Sequence, residues 1–370
     1  MNIMKSDLAH EPSDERPVGE PQPDRSVHRR RVSRRTWLAG GFAAGVAGGV
    51  AAGLAQRWWS ASARQGSGAR TPVFIARHQR YDGDLVRTIR DGLSACGFSA
   101  SSVRGRRVLL KPNLVEPLRD CPQMTTHPAV VLAAAELFRS WGATVVVGEG
   151  PGHLRDTELA LVESGMGEAL ASARLPLADL NYEDVAWRPN RGRHSKLAGF
   201  WFPRSVVEAD LIVSLPKMKT HHWVGVTAAM KNMYGTIPGC KYGWPKNVLH
   251  YQGIPQTVCD INASLPPTIA IVDAIDCMEG DGPIMGTLKA MGLILVSTCP
   301  TAVDATVCRL MQVDPWAVPY LALADGRLGP LAEQQIEQRG EPWQPLAQPF
   351  EILDKPHLKN LVRHRGVLVS

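Results

Sequence analysis

Hydrophobic and polar positions come in blocks along most of the chain. Short, almost continuous apolar runs occur at Val73–Ala76, Arg107–Lys111, Thr144–Gly148, Leu211–Leu215, Thr268–Val272 and Gly292–Ser297. Runs of this length, rich in Val, Ile and Leu, predict strands buried on both faces. Between them, apolar positions recur with helical spacing at Leu85–Leu93, Ala129–Ser140, Thr157–Ser164, Gln256–Ser264, Val303–Met311 and Trp316–Ala324. Strand and helix in alternation predict an α/β fold, a parallel sheet covered by helices. The Pro266-Pro267 pair offers a division, so a two-lobed domain is expected. The larger lobe covers 71–265 and carries the site loops; the smaller covers 266–370.

The first seventy residues break this pattern. Residues 1–32 are polar and mixed in charge, and read as a disordered leader. Ser33-Arg34-Arg35-Thr36-Trp37-Leu38 then stands before an Ala/Gly/Val run, Ala39–Ala55, with a small-residue cleavage pattern at Ala61-Ser62-Ala63. Two arginines ahead of a weakly hydrophobic core predict a twin-arginine signal over 33–63, followed by a linker over 64–70. The partner this implies is the twin-arginine translocation machinery. The expected location is periplasmic or otherwise extracytoplasmic, with membrane anchoring if the signal is not cleaved.

Composition narrows the classes. The net charge of +6 comes largely from arginines in the leader, so the globular part is nearly balanced and no nucleic-acid partner is expected. The seven cysteines contain no C-x-x-C pair, which gives no local support to a ferredoxin-type cluster or a four-cysteine zinc site. Their odd number argues against a disulfide framework, and buried free thiols are expected.

Ligands of parallel α/β sheets sit beyond the C-terminal strand ends, and four strands end in unusual clusters. Lys111 leaves its strand just before Pro112 and could meet an anion. Thr126, His127 and Pro128 open a helix, with Thr126 expected as its cap and Pro128 at an early helical position; its free N–H groups suit a phosphate or carboxylate. The strand Thr144–Gly148 runs into a glycine turn carrying His153, where a core role is not expected. After Leu215, the segment from Pro216 to Gly239 holds Lys217, Lys219, His221, His222 and Lys231 without an interleaved acid. Such a cluster could bind an acidic substrate or depress the pKa of one Lys or His for use as base or nucleophile; a basic loop beside a core helix is the plainer alternative. Asp273, Glu279 and Asp281 lie at another strand end, where they could hold a metal, pair with the lysines, or make the turn.

Residues from about 107 to 310 resemble the family catalogued as domain of unknown function 362. The matching pieces are Leu110–Asn113, Thr126–Pro128, Pro216–His221, Met230–Gly235 with Pro238-Gly239, and Glu279–Pro283. The motif order is also similar to that of the nickel-pincer lactate racemases. There a glycine turn carries a histidine with acids behind it, as at Gly150–Glu158. A second histidine is followed by glycine, a lysine and a Pro-Gly pair, as at His221, Gly225, Lys231 and Pro238-Gly239. That resemblance implies His153 and His221 as an acid/base pair, Lys231 as the covalent holder of a pincer cofactor, and His250 as a nickel ligand. On this reading Lys231, Thr126, His127 and Lys111 contact the cofactor. Lys217 and Lys219 bind the substrate anion, and Asp273, Glu279 and Asp281 are further metal candidates. His127 stands where that family has an arginine, and Lys217 and Lys219 are additional. The expected function is a cofactor- or metal-dependent enzyme acting on a small anionic, hydroxy-acid-like molecule, a racemase, epimerase or oxidoreductase. The alternatives are a non-catalytic metal or anion binding protein and an exported accessory subunit.

Overall fold

A computed structural model describes residues 69–152 and 155–362. The leader, the twin-arginine segment, the linker up to residue 68, and His153 lie outside the described residues. In chain order the elements are β1 (Thr71–Ala76), α1 (Leu85–Ala95), β2 (Arg107–Lys111), α2 (Pro128–Ser140), β3 (Thr144–Glu149), α3 (Thr157–Glu163), α4 (Met166–Ser172), β4 (Leu177–Asp179), β5 (Val185–Pro189) and β6 (Gly199–Pro203). They continue with α5 (Arg204–Glu208), β7 (Leu211–Ser214), β8 (Lys217–His221), β9 (Gly225–Thr227), α6 (Ala229–Asn232), α7 (Gly239–Tyr242), α8 (Asn247–Tyr251) and α9 (Ile254–Ser264). The last are β10 (Thr268–Glu279), β11 (Thr287–Ser297), α10 (Pro300–Leu310), α11 (Pro319–Ala324) and β12 (Ile336–Gly340).

The fold is α/β around a mostly parallel, mixed sheet. Its strand order is β12-β1-β11-β10-β7-β2-β3-β4, with β8 pairing β10 and β9 beside this path. Within that order only β11 runs against its neighbours, antiparallel to both β1 and β10. Alternate strand residues go to opposite faces. Val108, Leu110, Ile269, Ile271, Ile294 and Val296 pack into one cluster with Ile89, Leu93 and Phe138 of α1 and α2. Leu109, Ala270, Val272, Leu293 and Leu295 pack into the other with Val258 of α9 and Val303 and Val307 of α10. Burial on both faces is why these strands read as unbroken apolar runs.

Three expectations change. First, β7 pairs in parallel with β10, so strands from both sides of Pro266-Pro267 share one sheet. Pro267 lies just ahead of β10, where its missing N–H costs nothing and its carbonyl accepts from Ile212 N at 2.9 Å. Second, α2 is capped by His127, whose Nδ1 accepts from Ala129 N, with Pro128 in the first turn; Thr126 is not the cap. Third, the helix expected over Trp316–Ala324 begins only at Pro319, after a 3₁₀ turn over Pro315–Ala317. Cys96, Cys259, Cys277 and Cys308 are buried free thiols, while Cys240 is exposed and Cys121 and Cys299 are half-buried. Among the described residues, no helix is long and apolar enough to cross a membrane.

Candidate functional site

The neighbouring parallel strands β2 and β3 end in residues of opposite charge. Lys111 Nζ donates to Glu149 Oε2 at 2.7 Å and to the carbonyl of Pro112 at 2.6 Å, and both side chains are buried. Glu149 also accepts from the backbone N–H groups of Gly150 and Leu114. Burial pulls the Lys111 pKa down, against the attraction of Glu149. Gly235 lies directly over this pair. A Cβ there would fall 2.5 Å from Lys111 Nζ and 2.8 Å from Glu149 Oε1, so only glycine lets the backbone come this close.

The segment Lys217–His221, expected as a loop cluster, is strand β8. Its Lys-Met-Lys-Thr-His sequence puts Lys217, Lys219 and His221 on one face by the two-residue period. Yet the three have different fates. Lys217 is fully buried and donates to Asp273 Oδ2 at 2.8 Å and to the Tyr81 hydroxyl at 2.9 Å. Asp273 also accepts from Tyr81 Oη and from His127 N, and the His127 ring stacks on Tyr81 at 3.8 Å between centroids. Thr126 Oγ1 donates to the carbonyl of Leu215 and accepts from Asn113 N. Lys217, Thr126, His127 and Asp273 are therefore occupied in holding β2, β7, β8, β10 and α2 together. None of them lines the cavity described next.

That cavity, of about 160 Å³, lies at the strand ends under Lys111, Glu149, Lys219, His221, Lys231, Lys246 and His250. Roughly 150 Å³ suffices for a benzene-sized molecule. Glu149 is its one acidic lining residue among those described. Lys219 Nζ is held by Asn113 Oδ1 at 2.7 Å, the Met124 carbonyl at 2.7 Å and the Pro283 carbonyl at 3.3 Å, which uses all three of its protons. Lys246 Nζ donates to the carbonyls of Gly150 and Ile237. Lys231 Nζ sits 4.2 Å from the Tyr234 ring centroid. Burial, helped by the charge of Lys111, lowers its pKa to about 8, and burial lowers that of Lys246 to about 7.

His221 is nine-tenths buried, and its Nδ1 accepts from Trp223 N at 3.0 Å. A ring nitrogen that accepts carries no proton, so neutral His221 holds its proton on Nε2. Burial first, then the charge of Lys231, drives its pKa well below the usual value, so the neutral form prevails. Thr227 also lines the cavity, and its buried hydroxyl has no hydrogen-bond partner. Lys231 is placed by α6, whose first N–H groups, from Ala229 and Met230, donate to the buried carboxylate of Asp304 on α10. Burial raises the Asp304 pKa to about 7 despite those two bonds.

The expected metal candidates do not assemble. Asp273 pairs with Lys217. Glu279 pairs with Lys289 at 3.0 Å, and Asp281 is exposed with His222 at 3.7 Å. Of the three acids, only Asp273 pairs with a lysine of the Pro216–Gly239 segment; Glu279 pairs with a lysine on β11 instead. His250 lies between the rings of Trp223 and Tyr234. Among the described residues, no group of three or more His, Cys, Asp or Glu is placed to hold a metal ion.

The structure thus gathers Lys111, Lys219, His221, Lys231 and His250 around one cavity, and Gly152, next to His153, lines it too. Glu149, Thr227, Lys246, Tyr81 and Asp304 were not singled out from sequence as site residues. Only Glu149, an acid at a strand end, gave any local signal.

Residues 108–309 match the family described as Domain of unknown function (DUF362), more than half of the chain. The chain belongs to the DUF362 family. A relative, the thylakoid-associated protein sll1697 of Synechocystis sp., is 28% identical over 265 residues, covering 70% of this chain and 79% of its own. No solved structure matches the chain. Every residue lining the cavity falls inside the DUF362 segment, as does Asp304 beneath it. Tyr81 lies outside that segment.

Proposed function

We propose that this cavity binds a small anionic molecule and performs acid–base or amine chemistry on it, with Lys231 as the reacting group. The observation that carries this reading is the lysine-rich lining, in which Lys111, Lys219 and Lys246 are buried and the half-buried Lys231 has neither a carboxylate nor a hydrogen-bond acceptor. Burying charge without a partner is costly, and an anionic ligand supplies the missing one. Thr227 and the Nε2–H of His221 offer further polar contacts. A pKa of about 8 leaves part of Lys231 as free amine near neutrality, able to take a proton or attack a carbonyl. His221, with Nε2 protonated, is here a hydrogen-bond donor to the ligand rather than the base. Thermal unfolding with a panel of small carboxylates, sulfonates and phosphates tests this. A ligand at about a hundred times its Kd adds roughly 2.7 kcal/mol, which is read as a raised melting temperature. No shift from any small anion would remove the reading.

A lysine-held pincer cofactor is the finer form of this proposal. Lys231, His221 and His250 line one cavity, and the Lys231 amine, with a pKa lowered to about 8, can present the free lone pair that a covalent link requires. Such a group would supply hydride acceptance, while Lys231 would hold it and His221 would donate to the substrate. A mass addition on Lys231 in protein from its own host supports this form, and bare Lys231 in active protein removes it.

The location we propose is extracytoplasmic. The twin-arginine segment at Ser33–Leu38 supports it, and the name of the thylakoid-associated relative is compatible with it. Lysine at positions 34 and 35 in place of both arginines is expected to retain the protein in the cytoplasm on fractionation; unchanged export would contradict the proposal.

A further inference from the structure

We infer that the ligand of this cavity carries two negative charges, as a sulfate, phosphate-type or dicarboxylate group does. This rests on the anion-binding reading above and goes beyond it by fixing the charge. The argument is a balance of buried charges and of the protons each ammonium has left.

Lys111 is neutralised by Glu149 at 2.7 Å. The other three ammonium groups have no such partner. Lys219 is surrounded by one amide and two backbone carbonyl oxygens, all uncharged. Burial and the charges of Lys217 and Lys231 push its pKa well down, but three acceptors at hydrogen-bond distance are satisfied only by the ammonium form, so it acts as a held positive charge and not as a donor. Lys246 meets two backbone carbonyls and keeps one proton. Lys231 lies over an aromatic face and keeps all three. A single negative charge would leave two buried ammonium charges uncompensated. Two negative charges leave one, which the Tyr234 face and the carbonyl oxygens already share. The donors left over suit a group with several acceptor oxygens: Lys231, Lys246 and the Nε2–H of His221.

The balance has a consequence in protons. The titratable groups around Lys231 and Lys246 are Lys111 and Glu149 from β2 and β3, Lys219 and His221 from β8, His222 just after it, Tyr234, Cys240 and His250. Glu149 is the one acid among them, and it is already paired. The unliganded site therefore sheds protons near neutrality, in line with the values of about 7 and 8 for Lys246 and Lys231. A dianion raises both and draws protons back in. Its affinity is highest below about pH 7 and falls as pH rises through the free-site values.

Sulfate and methanesulfonate make the test, because they are close in size and differ by one charge, and neither changes protonation between pH 6 and 9. Isothermal titration of the full chain is expected to show sulfate binding at least about tenfold more tightly. At pH 7.5 sulfate binding should take up protons, seen as a heat that depends on the buffer's ionisation enthalpy. Equal or tighter binding of methanesulfonate overturns the two-charge inference and leaves an anion site standing. Binding of neither ion overturns the anion reading as well.

Discussion

Asp273→Ala is expected to cost about 3–5 kcal/mol of stability, the range for removing one partner of a buried ion pair. Asp273 is fully buried and accepts from Lys217 Nζ at 2.8 Å, Tyr81 Oη at 3.1 Å and His127 N at 3.0 Å. Its loss leaves the buried Lys217 ammonium without its carboxylate, with only the Tyr81 hydroxyl to accept from it, and two half-buried donors, Tyr81 Oη and His127 N, without this acceptor at the join of β8, β10 and the start of α2. Urea unfolding gives the measurement, and a loss below about 1 kcal/mol would refute the role assigned to this network. Part of the loss, the share due to the unpaired Lys217 charge, should return in the double variant Lys217→Met, Asp273→Leu, while Tyr81 Oη and His127 N stay without this acceptor. The exposed Arg80–Asp82 pair makes a control, since breaking it should leave the unfolding midpoint unchanged.

Lys231→Met has the opposite signature. It should weaken sulfate binding by about a hundredfold or more, as expected where a charge-assisted contact in a buried site is lost. The melting temperature should stay the same or rise. Lys231 has no acceptor, and its charge lies near that of Lys111, so a methionine of similar length relieves a burial cost without breaking a bond. Lys219→Met is the contrast. It strips three acceptors of their donor and should lose stability as well as binding. If Lys231→Met were strongly destabilising with binding intact, Lys231 would be structural and the proposed site would lose its reacting group.

The legible part of the fold was the part where burial and backbone periodicity agree. β2, β3 and β7 are apolar on both faces, so each was readable as a strand. β8 was not, because Lys217, Lys219 and His221 fill its inward positions and a strand with charged inward residues resembles a basic loop. That disguise is itself the functional signal, since local rules fail where a site is built. The same holds for β10, whose apolar start was visible but whose extension through Asp273 and Asp276 to Glu279 was not. Lys246 gave no sign, because its approach to Gly150 depends on the fold of residues 239–246. Asp304 read as one polar residue in an apolar helix, and its role as the acceptor for the start of α6 appears only once α10 lies beneath it. The Lys111–Glu149 pair likewise needs the β2–β3 register, which no local pattern sets.

Among the expected site residues, the cavity separates those that line it from those that only hold the sheet. Lys217 and Lys219 are two residues apart and chemically identical, yet one is paired to Asp273 and the other lines the cavity. Thr126 and His127 look like an open helix start, but the His127 side chain already caps α2.

The central claim is that an anion sits against Lys231 and His221. Crystals grown with selenate, a sulfate-like dianion with a strong anomalous signal, test it most directly. The account predicts an anomalous peak inside the cavity, within hydrogen-bond distance of Lys231 Nζ and His221 Nε2. It also predicts that the peak is absent in Lys231→Met. An empty cavity at saturating selenate, or a peak that persists unchanged in that variant, would contradict it.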